Sequence, residues 1–181
     1  MIEEQSATEP SAEVQMRRWS AIMICAVSLA IGCHRNPKEG NVLTQQEMEH
    51  AIAGLRAAYA AFNRGDIDSA VDLLDPHVEW IEPMEFPGGG AYSGIAGAKR
   101  YLTQSRAGAA EVISEPERFI PSGDQIVVFV HARVRPKESN TWQDVKLADV
   151  YRFHSGHVVQ MRAFADRQDA LHWVGIGDLP K

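Results

Sequence analysis

The body of this 181-residue chain contains no cysteine: Cys25 and Cys33 lie near the N-terminus, and His34 to Lys181 has none. That excludes a disulfide scaffold, a thiolate zinc centre and a cysteine nucleophile from the body. Uninterrupted apolar runs of ~20 residues are also missing, which excludes an ordinary membrane-spanning helix. Positive charge is in deficit, with 18 basic against 24 acidic residues and a net charge of −6. Phosphate contacts need clustered positive charge, so a nucleic-acid footprint is excluded. Neither a phosphate loop nor a dinucleotide-type glycine pattern occurs, and there is no heptad or internal repeat. Ser105 and Ser122 lack a histidine–acid partner at recognisable spacing. His154 and His157 flank a turn and read as solvated. The motifs imply no cofactor and no metal.

What is present is ordinary globular material. Hydrophobic residues make up 45% and charged residues 23%, enough for one domain whose core needs no staple.

The first 33 residues read as an address. Met16-Arg17-Arg18 is followed by Ala21 to Ile31, an apolar run broken by Ser28, and then by Gly32-Cys33. A basic start, a short apolar run and small residues form the export-signal pattern. Ala30-Ile31-Gly32-Cys33 resembles the lipobox of bacterial lipoproteins, which implies lipidation of Cys33 and a mature protein held at a membrane by its lipid alone. Leu29 sits one place further from the cysteine than that family prefers. A plain cleaved signal or an uncleaved anchor are the alternatives, and without a working signal the chain is cytoplasmic. Met1 to Gln15 precede the basic region, and Met16 is a second candidate start. Residues 34–43 then form a polar tether to a domain expected over 44–177. From His34 onward 16 basic and 20 acidic residues remain, so the body stays acidic.

Thr44 and Glu47 have capping-box spacing, and Ile52, Leu55, Tyr59 and Phe62 recur at helical steps, which predicts a helix ending at Gly65. A short helix is expected over Ser69 to Leu74, closed by Asp75-Pro76, then a strand from Val78 to Glu82. Pro83 and Gly88-Gly89-Gly90 predict an irregular loop, and Ile95 to Arg106 a helix. Strands follow at Glu111–Ile120, Gln125–Arg135, Trp142–Phe153 and Val158–Asp166, with a last short helix at Gln168–Val174. Helices first and strands later predict an α+β fold.

Polar residues on apolar faces carry the information. Side chains alternate along a strand, so Asp149 shares a face with Val145, Leu147, Tyr151 and Phe153. Glu82 likewise shares a face with Val78 and Trp80, and Tyr59 lies on the inner stripe of the first helix. A carboxylate so buried is paired, protonated or wetted by a cavity. Three readings stay open: a catalytic site, a ligand-binding cavity, or structural pairing of Asp149 with Arg133 or Arg135. His131, Arg133 and Arg135 on one strand face either attract an acidic ligand or pair with local carboxylates.

Tyr59 to Asp66, Leu73 to Trp80, Tyr92-Ser93-Gly94 and Tyr151 to Val159 together resemble the NTF2-like superfamily, and within it the SnoaL-like polyketide cyclases. The resemblance spans roughly Gln46 to Gly175. It implies a cone-shaped barrel, with helices packed on a curved antiparallel sheet around a deep apolar pocket. It is also similar to ketosteroid isomerase, a member of the same superfamily. That likeness implies Tyr59 as oxyanion donor, Glu82 before Pro83 in place of the aspartate base, and Asp149 as the protonated donor. Valine stands where that enzyme has a histidine after the aspartate. In SnoaL-type cyclases the base is a late-strand aspartate, which Asp166 matches here.

Two functions follow as expectations. One is binding of a small apolar or polycyclic molecule by Phe62, Trp80 and Tyr151, with proton transfer next to a carbonyl. The other is a non-catalytic binding module, or one whose sheet mediates homodimerisation. A cavity uniting Tyr59, Glu82 and Asp149 favours the first; a filled core favours the second.

Overall fold

The structure, a computed structural model, describes residues 42–177; the N-terminal address and Cys33 lie outside them. Helix α1 (Gln45–Arg64) opens on the expected capping box, with the Thr44 amide donating to the Glu47 carboxylate at 2.8 Å and the Glu47 amide donating to the Thr44 hydroxyl oxygen at 3.3 Å. It ends at Gly65, whose φ of 79° is the left-handed conformation that glycine adopts without a Cβ penalty. Asp66 caps α2 (Ile67–Ala70) through the Ser69 amide at 3.1 Å.

The strands are β1 (Leu74–Glu82), β2 (Gly90–Ser93), β3 (Glu111–Ser122), β4 (Gln125–Arg135), β5 (Gln143–His154) and β6 (His157–Phe164). Helix α3 (Gly94–Ala107) follows β2, and α4 (Arg167–Trp173) follows β6. The sheet order is β2-β1-β6-β5-β4-β3, curved and unclosed, with β2 and β3 at its edges.

Three expectations shift. The second helix is shorter and earlier, because Leu74 is recruited into β1 opposite Val158. Pro76 has no N–H to give, and the β1–β6 register breaks between Leu74 and Glu79. The stretch read as irregular yields β2, paired with β1 from Glu79↔Ser93 to Glu82↔Gly90. The sheet is not wholly antiparallel either, since β1 runs parallel to β6.

The two faces of the sheet bury different cores. Ile126, Val128 and Val130 of β4 and Tyr151 and Phe153 of β5 pack inward with Leu55 and Phe62 of α1. Val127, Ala148 and Val150 point outward and are covered by Ala170 and Leu171 of α4. Alternation along β4 and β5 makes both cores from the same strands.

Candidate functional site

Strand alternation turns Val78, Trp80 and Glu82 of β1 inward while His77 and Glu79 stay exposed. From the neighbouring part of the sheet β5 supplies Asp149 and Tyr151, and α1 supplies Tyr59 and Phe62. These side chains do not fill the interior. They line a cavity of about 440 Å³, otherwise walled largely by aliphatic residues. Tyr101 of α3 and Phe86, Pro87 and Gly88 of the β1–β2 loop also line it. Pro87 and Gly88 are exposed as well, so that loop forms part of the rim.

Each carboxyl group has its own donors. The Tyr59 hydroxyl donates to Asp149 Oδ2 at 2.5 Å, and the Tyr151 hydroxyl lies 3.1 Å from Tyr59 Oη and 3.5 Å from the same carboxylate oxygen. The Trp80 indole N–H donates to Glu82 Oε1 at 2.7 Å, and the Tyr101 hydroxyl also bonds Glu82. Glu82 is only 6% exposed.

Burial pushes the Glu82 carboxyl up to about 8, and the nearby Asp149 charge adds to the rise against the Trp80 and Tyr101 hydrogen bonds. Burial pushes Asp149 up to about 6, and the two tyrosine hydroxyls hold it from going higher. Tyr59 and Tyr151 are raised well above the usual phenol value, first by burial and then by the Asp149 charge. Both carboxyls are thus held above the usual carboxylate range, so the coupled pair keeps hold of a proton towards neutral pH. Both carboxyls rise, as a shared apolar site requires.

The sequence model of the SnoaL-like domain matches residues 55–161, more than half of the chain and all of this cavity's β1, β5 and α3 walls. The chain belongs to the SnoaL-like domain family. Among solved structures, TerC co-crystallised with polyporic acid is 26% identical, aligning 69% of this chain with 97% of that one at a TM-score of 0.59. An NTF2-like protein of unknown function from Burkholderia pseudomallei is also 26% identical, over 69% and 97%, with a TM-score of 0.58. SalBIII, an epoxide hydrolase/cyclase-like enzyme of pyran ring formation in salinomycin, is 19% identical over 66% and 92%, at 0.54. A search of curated proteins found no match.

This SnoaL-like domain brings six of its seven catalytic or ligand-binding candidates to one cavity: Tyr59, Phe62, Trp80, Glu82, Asp149 and Tyr151. Asp166 is not among them. The last strand stops at Phe164, and Asp166 is an exposed N-cap of α4 that accepts from the Gln168 amide at 2.6 Å. Arg133 and Arg135 do not reach Asp149. Asp149 lies opposite inward-facing Val128, whereas the two arginines point outward to Glu115 and Glu111 at 3.0 and 3.2 Å. His131 meets Asp144 at 2.6 Å on that same outer face. Tyr101 was not anticipated. Its signal was its place three residues after Ala98 on the apolar side of α3, beside Leu102.

Proposed function

We propose that this SnoaL-like domain binds a small apolar or polycyclic molecule in its cavity and catalyses cofactor-independent proton transfer next to a carbonyl. The observation that carries the reading is that two carboxyl groups with different hydrogen-bond donors share one cavity with buried hydroxyls. Such a pair supplies a base and an acid at the same pH. Asp149, the carboxyl that burial raises less, takes the proton from carbon, and Glu82 returns one. Tyr59 then has a distinct part to play. While Asp149 is ionised, the Tyr59 proton is committed to it; once Asp149 is protonated, that hydroxyl is released to the developing enolate oxygen. A hydrogen bond that becomes available only as charge develops favours the transition state over the ground state. The crystallised complex of TerC with polyporic acid supports a small-molecule ligand for a relative of this identity.

The test is deuterium exchange at the α-carbon of cyclic ketones in heavy water, followed by NMR. Exchange above background is expected near neutral pH and should fall by roughly 10² to 10⁴ in Asp149→Asn and Glu82→Gln. Exchange unchanged in both variants would remove the assignment.

The same reading includes export. The basic-apolar-small segment ending at Cys33 supports lipidation and membrane association of the mature protein, with the domain on a tether. Cys33→Ser should move the protein out of the membrane fraction, and unchanged fractionation would overturn the anchor.

A further inference from the structure

We propose that the cavity accepts an organic cation, a protonated amine carried on an apolar or aromatic frame. It rests on the proposed function only in taking the cavity as a ligand site; it requires no turnover. Three observations converge on it. First, among the described residues no lysine, arginine or histidine lines the cavity, and neither Glu82 nor Asp149 has a basic partner. Carboxylates elsewhere in the domain show the contrast, with Glu111, Glu115, Glu117 and Asp144 each meeting an arginine or histidine. Second, the donors around the pair are committed. Tyr59 gives its proton to Asp149, Tyr151 points at Tyr59, and the Trp80 indole serves Glu82. Around the two carboxyls the walls offer an incoming molecule lone pairs, so there a ligand that donates fits without breaking a bond, and one that only accepts must displace an existing donor; Gln104 and Ser114 line other parts of the cavity. Third, the walls carry six aromatic side chains, Tyr59, Phe62, Trp80, Phe86, Tyr101 and Tyr151. Aromatic faces attract a desolvated cation and are indifferent to its shape.

A monocation in this space offsets the charge that burial leaves uncompensated. It also lowers the proton affinity of both carboxyls, so part of the proton the pair holds leaves to solvent as the amine enters. The titratable groups facing the two carboxyls are Tyr59 from α1, Tyr101 from α3 and Tyr151 from β5, all raised above the usual phenol range, so they stay neutral and take no part in that release.

The experiment is calorimetric titration of the full chain at pH 7 in two buffers of different ionisation enthalpy. The probes are 1-(dimethylaminomethyl)naphthalene, its uncharged carbon isostere 1-isobutylnaphthalene, and 1-naphthol. The amine is expected to bind at least tenfold more tightly than the isostere and to release a fraction of a proton. Its advantage should disappear in the Glu82→Gln and Asp149→Asn variants, with thermal unfolding confirming that both fold. An amine that binds no better than the isostere, or keeps its preference without either carboxyl, overturns the proposal. Naphthol binding without amine preference overturns it while leaving the proton-transfer reading in place. Amine preference with no naphthol binding supports it and counts against that reading. If no probe binds, both fall.

Discussion

The inner and outer faces of β4 and β5 handle charge in opposite ways. Outward, Arg133, Arg135 and His131 meet Glu115, Glu111 and Asp144 across short distances in partial solvent, and Trp142 lies beneath both arginines at 5.7 and 5.8 Å. Inward, Asp149 and Glu82 meet no cation among the described residues and depend on hydroxyls and an indole. Exposed matched pairs are worth ~0 to 1 kcal/mol and weaken with salt. Buried unmatched carboxyls shift their proton affinity instead. The same strands thus separate charge that decorates a surface from charge kept available for chemistry, one residue apart.

The largest expected effect is on stability against pH. A carboxyl whose pKa is higher in the folded chain binds protons preferentially there, so its contribution is complete below the unfolded value and is lost as pH rises through the folded one. For Glu82 that window runs from 4.5 to about 8. The loss across it is on the order of 3 to 5 kcal/mol. Denaturant unfolding at a series of pH values should show this decline, and Glu82→Gln should flatten its upper part. A flat wild-type profile from pH 5 to 9 would erase the difference between the faces.

Next comes Asp149, whose window runs from 3.8 to about 6. Asp149→Asn keeps an oxygen for Tyr59, so folding stability should stay within ~1 kcal/mol at pH 5 and exceed the wild type at pH 8. A loss of ~3 to 5 kcal/mol would reveal a buried ion pair that these contacts do not contain.

A smaller effect is expected at the rim. A Cβ on Gly89 would lie 2.1 Å from the Pro83 carbonyl oxygen, so Gly89→Ala must open the loop turn. Naphthol binding should weaken about tenfold while unfolding stability moves by ~1 kcal/mol or less. Unchanged binding would detach the loop from the cavity's function. Smallest of all is the outer face, where Arg133→Gln should cost ~1 kcal/mol or less and nothing at 1 M salt.

Much of this was legible because it is local. The Thr44 box, Gly65 cap and two-residue alternation of β1 and β5 are written within a few residues, and alternation alone turned Glu82 and Asp149 inward. The parallel pairing was not, since it joins Glu79 to Gln160 across the chain and no short pattern encodes it. β2 was too short and too glycine-rich to register as a strand. Asp166 continued a strand-like run, and only the three-dimensional end of β6 turns it into a helix cap. The rise of both carboxyls depends on their burial and on the donors each finds, which spacing does not contain.

The open sheet leaves β3 at one edge, where an unguarded strand invites a neighbouring chain to add its own. Pro116 and Pro121 interrupt its row of donors, and Glu111, Glu115, Glu117 and Arg118 stud it with charge. An intruding strand would find gaps where it needs hydrogen bonds and would have to desolvate ions to fill the rest. The exposed margin is thereby protected against sheet-to-sheet aggregation, and the fold can stay open around its cavity without becoming a template for fibres.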